Sequence, residues 1–140
     1  MAELDSLIRV RKHNVEEKQK ILAALYKREE AFKEARDKME TQLAIEMEKT
    51  KTMRADLLSY FGPYSEKVRA EIDNIDQKRQ KLGNQIAIAQ EAMRAAFTEL
   101  KKVEIINERR KAEEKKVMAK KESDMLDEVA IDGYRRKQSD

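Results

Sequence analysis

Few side chains in this chain could do covalent chemistry. His13 is the only histidine, cysteine is absent, and the adjacent carboxylates Glu113 and Glu114 sit among lysines and arginines. A catalytic imidazole or carboxylate needs a cleft that shifts its pKa and holds it against a substrate. The sequence contains no P-loop, no dinucleotide glycine fingerprint, no HExxH and no CxxC. His13 reads as a surface residue one helical step off an apolar stripe, and Glu113 and Glu114 read as part of a solvated helix. No cofactor and no metal is expected, and the chain is not expected to be an enzyme.

What remains is recognition by charge and by apolar contact. Residues 101–121, KKVEIINERRKAEEKKVMAKK, hold nine Lys and Arg against four Glu, and Arg9, Arg11 and Lys12 are expected to join them. The run is either a solvated face laced with i,i+4 ion pairs, each worth about a few tenths of a kcal/mol, or a positive collar for an acidic protein surface. Nucleic acid fits poorly, because the net charge is only +3 and no aromatics interleave the basic run. Three of the seven aromatics, Tyr60, Phe61 and Tyr64, cluster in one short stretch. They either seal a turn or form a docking tip. Met125, Leu126, Val129 and Ile131 form a further apolar group, mostly on one helical face, and an unpartnered stripe of this kind usually marks a partner.

The elements that carry these groups are long helices. Of 140 residues, 42% are charged, one is Pro and three are Gly, which suits long helices and a coiled coil. A first stripe with alternating spacings of four and three runs Leu4, Ile8, Arg11, Val15, Lys18, Leu22, Leu25, Glu29, Phe32, Arg36, Met39, Leu43, Glu46, Thr50, Met53, Leu57. A second runs Val68, Ile72, Ile75, Arg79, Leu82, Ile86, Ala89, Met93, Ala96, Leu100, Val103, Asn107, Arg110, Glu114, Val117, Lys121. A mean spacing of about 3.5 is the heptad period. Gly62-Pro63 is the strongest breaker between them. Pairing position i with 125 − i sets Leu57 on Val68, Met53 on Ile72, Leu43 on Leu82, Met39 on Ile86 and Phe32 on Met93. It also sets Leu25 on Leu100, Leu22 on Val103 and Ile8 on Val117, with Glu46 against Arg79 and Arg11 against Glu114.

The expectation is therefore an all-α fold of one domain, two long helices in an antiparallel coiled-coil hairpin. Helix 1 is expected over 3–58, a turn over 59–65, helix 2 over 66–132 and a frayed tail over 133–140. Ser65 reads as the N-cap of the second helix. Gly83, beside the seam, reads as a point of close helix approach or a slight bend. Polar residues thin the seam toward the open end, and residues after Asp124 have no partner in this pairing. The start lacks a secretory pattern, no stretch reaches the roughly 20 apolar residues of a membrane span, and the absence of Cys fits a reducing compartment. A soluble intracellular protein is expected.

This organisation resembles the flagellar export family FliJ, whose relatives include the YscO stalk proteins. The likeness rests on the length, on LDSLIRVR at 4–11, on ERRKAEEKK at 108–116 and on ESDMLDEVAIDGYRR at 122–136. The resemblance implies a hairpin like a rotor stalk, its termini inserted in a hexameric export ATPase (FliI-like) and its turn directed at the export gate (FlhA-like). Export chaperones and the ATPase regulator FliH are further implied partners. The implied location is cytoplasmic, peripheral on the inner membrane at the flagellar base, held there through partners only. The ring-binding residues it implies are Arg9, Arg11, Lys12, Arg109, Arg110, Lys111, Lys115, Lys116, Leu126 and Val129. The expected gate-binding residues, chosen for their position at the turn and their apolar surface, are Tyr60, Phe61, Tyr64 and Val68. Two other readings stand beside it: a coiled-coil scaffold that self-assembles as a parallel dimer, and a basic binder of anionic lipid or nucleic acid.

Overall fold

The computed structural model describes residues 2–52 and 54–139. Two helices account for nearly all of them: α1 (Ala2–Thr50) and α2 (Ala55–Ser139). They run antiparallel, since Tyr26, Glu29 and Arg36 of α1 meet Gln90, Arg79 and Asp76 of α2. The all-α antiparallel hairpin expected from the two stripes is the observed fold. The chain divides into two compact units, one of residues 13–96 and one of residues 1–12 with 97–140.

In the unit 13–96 the core follows the heptads. Val68, Ile75, Leu82, Ala89 and Ala96 are buried at intervals of seven, and Leu82 is the most enclosed at 2% exposure. From α1, Val15 is buried and Lys18, Leu22, Leu25, Glu29, Phe32, Arg36, Met39, Leu43, Glu46 and Thr50 are half-buried. These are the stripe positions. Their register differs from expectation. The three cross-helix pairs have indices adding to 108, 112 and 116, and the protected positions of both helices coincide when partners add to 111. Leu43 thus lies by Val68, Met39 by Ile72 and Leu25 by Ile86. Leu57, expected on Val68, is half exposed at 50%, and Met53 lies outside the described residues. The offset between 125 and 111 is two heptads. A heptad stripe looks the same after any shift by seven, so apolar spacing fixes which residues face inward without fixing which of them meet.

The turn moves accordingly. α1 ends at Thr50 and α2 begins at Ala55, and Gly62-Pro63 is inside α2. Hydroxyls end α1: Thr50 Oγ1 donates to the Met47 carbonyl and Thr52 Oγ1 to that of Lys49, while the Lys51 and Thr52 amides make i,i−3 bonds to Glu48 and Lys49. Such local side-chain bonds compete with continued helix. The Arg54 carbonyl then accepts from the Leu57 and Leu58 amides and starts α2. Pro63 has no N–H for the helical ladder, a penalty of about 3 kcal/mol in a helix interior. Ser65 is no N-cap: its hydroxyl donates to the Gly62 carbonyl at 3.0 Å and it is buried at a seam position. Gly83 is exposed, and a Cβ there would meet nothing within 4 Å, so close approach does not account for it.

Polar pairs stitch this unit. Arg79 donates through Nε (3.1 Å) and Nη2 (2.8 Å) to Glu29 Oε1. Arg36 donates through Nε to Asp76 at 2.7 Å and pairs through Nη1 with Glu40 at 2.8 Å. The bond to Asp76, ahead of the smaller contribution of Glu40, raises the Arg36 pKa above its ordinary value. Gln90 donates to the Tyr26 hydroxyl at 2.7 Å.

In the unit of residues 1–12 and 97–140, Leu100, Val103 and Asn107 are buried, and Leu4, Ile8 and Arg11 are half-buried. The same register sets Arg11 by Leu100, Ile8 by Val103 and Leu4 by Asn107. Val117, expected on Ile8, is 44% exposed. Every residue of 108–138 is exposed. The helix also continues through Gly133, where a frayed tail was expected.

Candidate partner-binding surfaces

Two surfaces gather the residues that the sequence singles out. The first is the uncovered stretch of α2 beyond Asn107. Sequence pairing left only residues after 124 bare. With the register two heptads shorter, the bare stretch begins at 108 and takes in most of the basic run. Arg109, Arg110, Lys111, Lys115 and Lys116 are exposed on it, as are Leu126 (70%) and Val129 (67%). Val117, Met118, Met125, Ile131 and Tyr134 add exposed apolar area. A shallow groove of about 490 Å³ is lined by Arg110, Glu113, Glu114, Val117, Met118 and Lys121. Arg9 and Lys12 are exposed on α1 in the same unit. Arg11 is half-buried in the seam, with its Nε enclosed and unpartnered.

The basic run is not the ion-paired face that served as its bland explanation. Its ion pairs among the described residues are Lys101–Glu104 and Lys102–Glu99, both at 3.2 Å and both before residue 108. Lys101 also lies over the Phe97 ring at 5.2 Å. From 109 to 121 the charges are left to solvent. Charge is ordered along the bare stretch: residues 108–121 hold seven basic and three acidic side chains, 122–132 hold five acidic and none basic, and Arg135, Arg136 and Lys137 follow. Past Asn107 the seam positions become Arg110, Glu114, Val117, Lys121, Asp124, Glu128 and Ile131, so the stripe is mostly charged there.

The second surface belongs to the unit 13–96. Tyr60 is 74% exposed, and Phe61 and Tyr64 stack obliquely, with ring centroids 6.4 Å apart at 45°. With Leu57 and Glu46 they line a concavity of about 260 Å³. The aromatics thus occupy the first turns of α2 instead of a loop. Val68 is buried in the seam and offers no free surface.

His13 is exposed, and its Nε2 lies 3.8 Å from Glu17 one turn on. Among the described residues no group of three or more His, Cys, Asp or Glu could hold a metal ion, and no helix is long and apolar enough to cross a membrane.

Helical pairing along one stripe, with charged and apolar surface left over, defines a two-helix coiled-coil protein. The family model "Flagellar FliJ protein" matches residues 1–139, and the chain belongs to this family. Membership makes it a component of the flagellar export apparatus, from a family that is non-catalytic. Neither a curated protein nor a solved structure was found to match it.

Proposed function

We propose that this chain is the central coupling protein of its export apparatus, a stalk that engages the export ATPase ring and relays to the export gate. The observation that carries this reading is the bare stretch of α2 after Asn107, a long helix with exposed cations between 109 and 121 and exposed Leu126 and Val129. A helix that buries nothing is marginal in water, since packing supplies most helical stability. A partner that covers it resolves the difficulty. Arg9, Lys12, Arg109, Arg110, Lys111, Lys115, Lys116, Leu126 and Val129 are the proposed ring contacts, with Arg11 positioned from the seam. Tyr60, Phe61 and Tyr64 are the proposed gate contacts. Val68 acts by packing beneath them. Roles in chaperone cycling and in contact with the ATPase regulator belong to the same proposal, as does a peripheral position on the cytoplasmic face of the inner membrane. Self-assembly as a scaffold is the competing reading.

The test is reconstitution with the export ATPase. The protein should stimulate ATP hydrolysis and promote hexamer formation. Lys115→Ala with Lys116→Ala, and separately Leu126→Ser with Val129→Ser, should each weaken stimulation at least about tenfold, the loss of roughly 1.4 kcal/mol of binding, with helicity unchanged. Undiminished stimulation by both variants would reject the ring role. Light scattering distinguishes the competitor: the hairpin should run as a monomer near 16.4 kDa, whereas a scaffold would run as a dimer.

A further inference from the structure

The seam of this hairpin closes in two registers, and we propose that the chain exchanges between them by sliding one helix two heptads along the other, with Gly62-Pro63 serving as the second turn. In the register seen, Leu43 lies by Val68, Met39 by Ile72 and Ile8 by Val103. In the other, where partner indices add to 125, Leu43 meets Leu82, Met39 meets Ile86, Phe32 meets Met93 and Ile8 meets Val117. Both bury the stripe of α1 against the stripe of α2, so apolar burial discriminates weakly between them.

Three further observations point to the second register as a real state. The sequence between Thr50 and Ala55 contains neither Gly nor Pro, so no strong breaker bars helix there. The Gly62-Pro63 pair, the strongest breaker in the chain, is held instead inside α2. Sliding exchanges these roles, carrying the helix through 51–54 and placing the breaker at the reversal, where its conformations suit it. Buried polar atoms point the same way. Arg11 Nε and Asn107 Oδ1 are enclosed without a partner. Arithmetic of the second register brings Glu114 opposite Arg11 and removes Asn107 from its place by Leu4. Ion pairs are redistributed as well: Arg79 leaves Glu29 and comes opposite Glu46, while Arg36 loses Asp76.

Sliding changes what partners can reach. In the second register α1 covers α2 as far as residue 121, enclosing Val117 and drawing the face of Arg110, Glu114 and Lys121 into the seam. A partner that grips that face therefore binds only the register seen, and selects it. This holds whatever the partner is.

The chain lacks Cys, so paired spin labels report on the whole protein. Labels at Asp37→Cys and Asn74→Cys, both exposed, face each other when indices add to 111. The second register separates them by a further 14 residues, about 21 Å along the axis at about 1.5 Å per residue. A short distance should dominate in the otherwise unchanged protein. Glu29→Gln with Asp76→Asn, which keeps side-chain size and removes the two ion pairs of the register seen, should move at least about one-tenth of molecules to the longer distance, a population the labels resolve. Adding Gly62→Ala and Pro63→Ala should abolish it. As a second reading, Leu43→Cys with Leu82→Cys should form an intramolecular disulfide on oxidation, with helicity retained. A single short distance throughout, together with no such disulfide, overturns the proposal. A long distance that survives Gly62→Ala and Pro63→Ala overturns the second turn.

Discussion

Residues 65–107 and 108–138 belong to one helix, the second richer in charge, and differ in what covers them. In the first stretch Val68, Ile75, Leu82, Ala89, Ala96, Leu100 and Val103 are buried. In the second, Met118, Met125, Leu126, Val129 and Ile131 are each more than half exposed. Both stretches carry large apolar residues, so apolar content does not separate them. The reach of α1 does. With partner indices adding to 111, Leu4 pairs with Asn107, and α1, which begins at Ala2, has nothing to set against the positions beyond about 109. Val117 and Ile131 keep the heptad positions there and are exposed all the same. Local propensity makes both stretches helical, and only the first is stabilised by packing. The second is built as an open face.

The widest contrast is between two leucines. Leu82 is 2% exposed and Leu126 is 70% exposed. Leu82→Ala should destabilise the protein by about 2–5 kcal/mol, the usual loss for a buried leucine. Leu126→Ala should lie within about 0.5 kcal/mol of no change, as surface substitutions do. Thermal unfolding followed by circular dichroism measures both. Equal losses at the two sites would mean that 108–138 is covered in the free protein, and the open-face reading would fall. A charge in the seam is harsher still: Leu82→Asp, like Asp at Leu25, Phe32 or Leu43, should leave little folded hairpin.

Much of this molecule is legible in the residue spacings. The inward-facing residues of α1 from Leu4 to Thr50 stand where the heptads put them, as do those of α2 from Val68 to Asn107. The antiparallel two-helix arrangement follows. Register does not, because shifts by whole heptads preserve the stripe. What favours 111 over 125 is a set of polar contacts, Arg79 with Glu29 and Arg36 with Asp76, whose partners lie three residues and one residue from the position directly opposite. The turn was misjudged for a related reason. Thr50 and Thr52 end α1 through hydroxyl bonds to carbonyls, a weaker sequence signal than Gly-Pro. The composition of the basic run and of the aromatic cluster singles both out as the surfaces proposed for recognition. How much of the run stands bare depends on the register, so it could not be read before the register was known.

A smaller effect separates the end of the covered stretch from its middle. Asn107 is 8% exposed with an unpartnered Oδ1, and an unsatisfied buried polar group costs about 1–3 kcal/mol. Asn107→Leu should therefore stabilise the hairpin by about 1 kcal/mol, raising the unfolding midpoint in urea with little change in slope. Because that penalty falls on the register seen, the same variant should also favour that register, which the spin labels would read as a larger share of the short distance. A destabilised Asn107→Leu protein would instead indicate a bound water or partner on Oδ1.

The smallest contrast uses two glycines. Gly83 and Gly133 both lie inside α2, and a Cβ at either would meet open space. Neither has a positive φ, so alanine fits both without strain. Gly costs a helix about 1 kcal/mol relative to Ala, mostly in backbone entropy. Gly83 sits in the packed stretch, where helix and tertiary contacts melt together. Gly83→Ala should therefore raise global stability by up to about 1 kcal/mol, a shift of a few degrees in melting temperature for a chain of this size. Gly133 sits in the open stretch, whose helix can unwind without disturbing the seam. Gly133→Ala should slow amide exchange around residue 133 and leave the melting temperature unchanged. If both substitutions raised it equally, the end of α2 would be melting with the core, and the division of one helix into a packed part and an open part would have to be given up.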